Sequence, residues 1–329
     1  MSDTKFGVVA VGNALVDVLS QVPETFIEEQ KEHGMEKGAM TLIDEVRAVD
    51  LYTQMPQGTE TSGGSAANTM AGFASFGGQG AFIGKVADDN LGKVFQNDIK
   101  SLGVNFATLP LVMGAHTGRC MILVTPDADR TMNTFLGASV ELSPVDIDAD
   151  LIASAKITYL EGYLFDREQA KAAFIAAANL AHENGRKIAL TLSDPFCVDR
   201  HRDDFLNLVE NHVDILFANE DEIKSLFLKD NFDDAVSAIS KHVEIAAITR
   251  SEKGAIIIAN GETIKIDAVP VEKVIDTTGA GDQFAAGFLY GHTEGRPLAE
   301  CGKLGAIAAA EVISHIGPRP AVTLADLAA

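Results

Sequence analysis

Apolar runs of strand length alternate with amphipathic stretches of helix length along this chain of 329 residues. Residues 6–11, 80–83, 157–160, 188–192, 215–217 and 246–249 are short and nearly all apolar, as strands buried on both faces are. Between them, 65–76, 91–102, 167–183, 202–212 and a stretch starting at Glu220 carry helical spacing, and Asn184-Gly185 supplies a stop for the third. The alternation predicts a mainly parallel sheet covered by helices on both faces.

Two stretches break the pattern. Residues 14–43 contain the alternating segment Leu15-Val16-Asp17-Val18-Leu19 and no convincing helix before Asp44. Residues 112–136 read as a hairpin: 117–125, the turn Pro126-Asp127-Ala128-Asp129, then 130–136. Set into an α/β domain, these stretches are either edge additions to the sheet or a small lid. A further hairpin is expected at 256–258 and 264–266, about Asn260-Gly261.

Composition narrows the partners. Against 47 acidic residues stand 26 basic ones, a formal net charge of -21, which argues against a nucleic-acid backbone as ligand. Any polyanionic ligand therefore needs local help from backbone amides, a metal ion or single cations. Three widely spaced cysteines suit a reducing cytosol and form no C-x-x-C unit. The N-terminus has no basic region followed by a long apolar run, and no apolar stretch approaches membrane-spanning length. The eight histidines form no metal-binding pattern. Residues 78–86 miss the spacing of a P-loop, Gly12-Asn13-Ala14 is not a dinucleotide fingerprint, and protein-kinase signatures are absent.

Candidate chemistry lies in two glycine clusters. Gly279-Ala280-Gly281-Asp282 follows a short extended piece, Val274-Ile275, and opens an apolar helix over 284–290. A glycine loop at a helix start exposes unpaired N–H groups at the positive end of the dipole, an anion hole that needs no lysine. Asp282, in the first turn, is from spacing alone a helix cap as readily as a functional carboxylate. Thr61-Ser62-Gly63-Gly64-Ser65-Ala66-Ala67-Asn68 allows close approach of a substrate or another backbone, and Ser65 reads equally as an N-cap.

Together, residues 63–92 (G-G-S-A-A-N-T…G-K-V-A-D-D-N-L-G) and 276–287 (D-T-T-G-A-G-D-Q-F-A-A-G) resemble the two signatures of the PfkB/ribokinase family of small-molecule kinases. The resemblance extends over nearly the whole chain through Gly12-Asn13, Asp17 and Asn219-Glu220-Asp221-Glu222. Within the family, G-N-A-L-V-D, T-G-R-C, L-S-D-P-F, V-D-I-L-F-A-N-E and E-C-G-K-L-G-A-I-A-A-A are similar to stretches of adenosine kinases.

The resemblance implies a ribokinase-like α/β fold: a doubly wound, mainly parallel sheet flanked by helices, in one domain over 1–329, with a lid from about 14–43 and 112–136. It implies ATP-dependent transfer of phosphate to the primary hydroxyl of a ribonucleoside, adenosine first, or of a sugar such as ribose or fructose, in a cytoplasmic monomer or homodimer; a non-catalytic nucleoside- or nucleotide-binding protein is the other alternative, against which Asp282 and the intact 279–281 loop argue. Asp282 is then the base for the acceptor hydroxyl, with no need of a raised pKa, and the amides of Gly279, Ala280 and Gly281 face the transferring phosphoryl. Asn13, Asp17, Gly63, Gly64 and Asn68 grip the acceptor, with Cys120, Tyr163 and Leu164 beside it. Asn219, Thr249, Ser251, Gly254 and Arg130 fall on the ATP side, where Arg130 reaches phosphate or is merely a solvated turn residue. Asn219 and Glu222 organise Mg²⁺ through its waters; their plainer readings are a helix cap and an exposed helix charge. Asp276 and Thr278 match positions around a K⁺ site. Two departures stand out. Ser251 replaces the glycine of a T-x-G turn, and Tyr163-Leu164 replaces a phenylalanine pair, so purine stacking would fall to Tyr163, Phe165 or Phe135.

Overall fold

In the computed structural model, which describes residues 4–127 and 129–328, the apolar runs form one nine-stranded sheet. Its order is Glu262–Ile266, Ala255–Ala259, Ile245–Thr249, Ile215–Asn219, Lys187–Thr191, Ala155–Glu161, Phe6–Val11, Gly80–Ile83 and Asn105–Phe106. From Ile245–Thr249 to Asn105–Phe106 every pairing is parallel; the first two strands are antiparallel additions. Successive side chains feed opposite faces. Val8 and Ala10 join one core with Ile157, Ile215 and Phe217, while Val9 and Val11 join the other with Leu160, Leu190 and Leu216. Double burial explains why these strands read as unbroken apolar runs.

Local signals set the ends. The helix Glu168–Glu183 stops at Asn184, where Gly185 takes φ 65° and Arg186 N–H returns to Ala181 C=O at 2.8 Å. Asn260 and Gly261, both at positive φ, turn the C-terminal hairpin.

A second sheet of five strands stands apart, in the order Met40–Leu42, Arg130–Gly137, Thr117–Val124, Leu15–Gln21 and Thr59–Gly63. The two irregular stretches are therefore not edge additions to the large sheet. The small sheet also takes in Thr59–Gly63, which its polar sequence T-E-T-S-G conceals. Glu24–Gln30 is helical, against expectation: Pro23 starts it, and Ile27 and Gln30 are its buried residues, too few for a visible period. The hairpin closes as expected, with Thr125 N–H donating to Asp129 C=O at 3.0 Å; of the turn Pro126-Asp127-Ala128-Asp129, Ala128 lies outside the described residues. Asp17 sits mid-sheet, opposite Thr61 on one neighbour and Cys120 on the other.

Residues 267–279 contain no strand, so the extended piece expected at Val274-Ile275 does not join the sheet. Ile275 and Asp276 donate to the Ile313 carbonyl at 2.8 and 3.4 Å. Among the described residues, no helix is long and apolar enough to cross a membrane.

Candidate active site

Parallel strands end on one side of a sheet, and that side carries the polar residues. Asn13 follows Phe6–Val11, while Glu161, Asn219 and Thr249 each close a strand. Ligands of open α/β sheets bind beyond such carboxyl ends.

The loop over 276–279 leads into the helix Ala280–Thr293, 14 residues long. Its cap is Gly279, at φ 79°, with no side-chain cap bond. A Cβ on Gly279 would stand 2.6 Å from the Pro318 carbonyl oxygen and 2.7 Å from its Cα, so both conformation and space demand glycine. Of the three amides expected to face phosphate, that of Ala280 is engaged, donating to Thr277 C=O at 3.2 Å. Those of Gly279 and Gly281 remain candidates at the positive end of the helix.

Asp282 is not a cap. Its carboxylate accepts from Ser65 Oγ at 2.5 Å, with the Asn68 side chain also favouring its charge. Ser65 is likewise no cap: the helix Ser65–Ser75 is capped by Gly64, whose φ of 98° lets it lie against the Asn13 carbonyl. Burial pushes the Asp282 carboxyl up to about 7, with the Glu161 and Asp17 charges adding to the rise. The chemistry asks for no raised pKa, yet the site lifts this carboxyl into the range useful to a general base.

On the acceptor side, Asn13 is buried and both ends of its amide are used. Nδ2 donates to Glu161 Oε1 at 2.7 Å, and Oδ1 accepts from Ser139 Oγ at 2.9 Å. Glu161 also accepts from Ala66 N–H at 2.8 Å, tying the first strand's exit to the helix that carries Asn68. Asp17 is half-buried, and its carboxyl lies against Gly63, where a Cβ would stand 2.2 Å from Cγ. Burial raises Asp17 to about 6, while Arg319 and Arg130 pull it down. Cys120 faces it from the next strand; burial pushes its thiol up to about 12, and Sγ accepts from Thr134 Oγ1 at 3.3 Å.

Arg130 is neither exposed nor free in a turn. Its guanidinium pairs with Asp276 Oδ2 at 2.6 Å and donates to Thr278 Oγ1 at 3.0 Å, pinning the small sheet to the glycine loop. The rest of Asp276 is occupied by the N–H groups of Thr278 and Gly317, each at 3.0 Å. The K⁺ expectation for Asp276 and Thr278 does not fit this donor set, because a guanidinium already neutralises the carboxylate.

The second group lies two and three strands from Glu161 across the sheet. Asn219 caps the helix Glu220–Phe227 and forms a capping box with Glu222: Asn219 Nδ2 donates to Glu222 Oε1 at 2.7 Å, and Asn219 N–H to Oε2 at 2.9 Å. The cap reading of Asn219 holds, but Glu222 is buried rather than exposed. Burial first, then Asp194, Asp221 and Asp282, lift Glu222 to about 7. Among the described residues, no cluster of three metal-ligating side chains occurs. The neighbouring charges of Asp194, Asp221 and Asp282 are ones that a hard cation keeping its water shell would relieve. Thr249 pairs with Asn219 across the sheet. Ser251, where the resemblance expects glycine, takes φ 52°, so this turn demands a left-handed residue and a serine meets the demand. Gly254, at φ 78°, backs the turn, with the Ile266 carbonyl oxygen 2.0 Å from any Cβ.

Leu164 is not at the site. It is 1% exposed and packs in the far core with Phe165 and Phe174. Phe165 stacks on Phe205 at 4.5 Å and Phe135 is buried, so neither offers a face to a ligand. Tyr163 does: it is 37% exposed, its hydroxyl donates to the Ser193 carbonyl at 3.3 Å, and it feels the charges of Asp194, Asp282 and Glu222. Phe196, shortly after Ser193, is exposed as well.

Sequence reasoning missed Glu161, Arg319 and Gln283. A carboxylate closing an apolar strand was a usable signal for Glu161. Gln283 is fully buried, with Nε2 donating to the carbonyls of Asn68 and Pro318 at 3.0 and 2.9 Å. Its neighbour Asp282 drew the attention. Arg319 gave no local sign, standing in a loop far along the chain.

The model of the family described as pfkB family carbohydrate kinase matches residues 38–324. Adenosine kinase of Saccharomyces cerevisiae is 26% identical over 332 residues, covering 94% of this chain and 95% of that protein. Two solved structures are each 49% identical with a TM-score of 0.90. They are the "probable sugar kinase protein" of Rhizobium etli CFN 42, covering 99% of this chain and 98% of that one, and adenosine kinase from Sinorhizobium meliloti, covering 98% of both. The matched fold and the paired glycine signatures agree, and the chain belongs to the pfkB family of carbohydrate kinases.

Proposed function

We propose that the protein transfers the γ-phosphoryl group of ATP to the primary 5′-hydroxyl of a ribonucleoside, adenosine first among them. The observation that carries the reading is Asp282: a half-buried carboxyl raised to about 7, set at a helix N-terminus behind Gly279 and Gly281, bonded to Ser65 and near Asp17 and Asn68. Asp282 takes the acceptor proton as the hydroxyl oxygen bonds to phosphorus, and ADP leaves with the electrons of the broken P–O bond. The amides of Gly279 and Gly281 face the charge on the transferring group. Such transfers depend on positioning and charge stabilisation more than on a strong base. Asn219 and Glu222 would hold Mg²⁺ through its waters, and the ion would supply charge neutralisation. Asp17 receives the vicinal hydroxyls of the sugar.

Exposed Tyr163, within reach of the Asp282 and Glu222 charges, favours a nucleoside over a free sugar, since an aromatic face there can stack on a base. The Sinorhizobium meliloti relative, named an adenosine kinase, supports the same choice. The test is a panel of adenosine, inosine, ribose, fructose and 2-keto-3-deoxygluconate with ATP and Mg²⁺. The highest kcat/KM is expected for adenosine; a clear preference for a free sugar sinks the nucleoside reading.

The Arg130–Asp276 pair gives a second expectation. With a guanidinium beside the carboxylate, turnover needs no monovalent cation, so exchanging K⁺ for choline at constant ionic strength leaves kcat unchanged. Strong activation by K⁺ would show that Arg130 yields its place.

A further inference from the structure

Residues 317–319 touch both glycine clusters. Gly317 N–H donates to Asp276, the Pro318 carbonyl lies against Gly279 and accepts from Gln283, and the Arg319 side chain crosses to the other cluster. There the Arg319 guanidinium donates to three residues. Nη1 meets Asp98 Oδ2 at 2.7 Å, Nη2 meets Ser62 Oγ at 2.6 Å and the Ser62 carbonyl oxygen, and Nε meets Asn68 Oδ1 at 3.3 Å. Asp98 holds the same corner by accepting from Ser62 N–H at 2.9 Å and Ser62 Oγ at 2.7 Å. Ser62 immediately precedes Gly63, against which the Asp17 carboxyl rests.

An amide has one acceptor end and one donor end. Arg319 occupies the acceptor end of Asn68. The donor end is left for Asp282, and the Asn68 side chain does favour that carboxylate's charge. Without the guanidinium, the amide is free to turn over and present its oxygen to the carboxylate instead. We propose that Arg319 is a positioning residue for the base: anchored on Asp98 and Ser62, it fixes the Asn68 amide so that its NH₂ faces Asp282, and it holds Gly63 against Asp17. The planar fork matters as much as the charge, because three separate residues are met from one rigid group.

The inference rests on Asp282 acting as the base. Arg319→Lys keeps a cation for Asp98 but cannot also reach Asn68, so kcat is expected to fall about tenfold, the worth of one hydrogen bond to a charged group. Thermal stability should stay close to that of the parent, and the KM for ATP should not move. Asn68→Ala should cost at least as much. In the double variant the losses should not multiply, because Arg319 acts through Asn68. Wild-type turnover in Arg319→Lys, or fully multiplicative losses in the double variant, overturns the proposal, since a merely structural arginine would act independently of Asn68. Asp282→Asn separates the two layers. If it leaves turnover intact, the functional reading fails; if it abolishes turnover while Arg319 and Asn68 behave independently, the positioning role alone fails.

Discussion

Asp282→Asn should lower kcat at least ~10²-fold, the usual worth of a positioned general base, while ATP binding is largely kept. Asparagine can still accept from Ser65 Oγ, so the helix start should stay in place. Steady-state kinetics beside an ATP-binding titration decide the matter, and unchanged turnover refutes the assigned role. The raised carboxyl adds a pH signature. The base form is depleted below about 7, so kcat/KM should fall on the acid side with a midpoint near that value. Stability should run the other way. A carboxyl held at about 7 when folded and 3.8 when not binds more protons in the native state between those values. Its contribution is therefore fully present below pH 3.8 and is lost as pH rises through about 7. Asp17, at about 6, and Glu222, at about 7, act in the same sense. At pH 8 the Asp282→Asn variant, neutral at this position, should melt at a higher temperature than the parent, the familiar opposition of activity and stability. A lower melting temperature would show that the ionised carboxylate is better accommodated than its burial implies.

The sheet was legible because parallel strands are buried on both faces and so read as short, unbroken apolar runs. The small sheet was only half legible. Its hairpin carried turn residues, but Thr59–Gly63 is polar along most of its length and pairs only through partners distant in sequence. Asp282 and the glycines were visible as types. Their roles were not, because spacing alone cannot separate a cap from a base; the bond from Ser65, over two hundred residues away, is what argues against the cap. Arg130 shows the same limit. Next to a turn it reads as solvated, yet it is buried against Asp276, a residue far along the chain. Leu164 errs in the other direction. Its neighbour Tyr163 faces the site, and the step from one residue to the next carries the leucine into the core. What the sequence withholds is thus side-chain direction at chain ends and turns, where no period is long enough to reveal it.

Gly279→Ala and Gly281→Ala should separate the loop's structural demand from its chemical one. At Gly279 a methyl group meets the Pro318 carbonyl oxygen at 2.6 Å and its Cα at 2.7 Å, and the backbone stands at φ 79°. The left-handed conformation alone costs a non-glycine residue roughly 1–2 kcal/mol. The clash must in addition push the loop away from residues 317–318, carrying its amide off the phosphate. A fall in kcat on the order of 10²-fold, the loss seen when one such donor is removed, is expected together with a lower melting temperature. At Gly281 no atom outside the loop lies within 4 Å of the added methyl, and the residue belongs to the first helical turn. Alanine favours a helix over glycine by as much as about 1 kcal/mol, so the melting temperature should hold or rise. Turnover should still fall, because the open space beside Gly281 is where the reacting phosphate has to come close to the backbone. If Gly281→Ala keeps full activity, that space is solvent rather than ligand, and the anion hole rests on Gly279 alone. If the two variants lose stability equally, the tight seat of Gly279 on Pro318 is not what holds the loop.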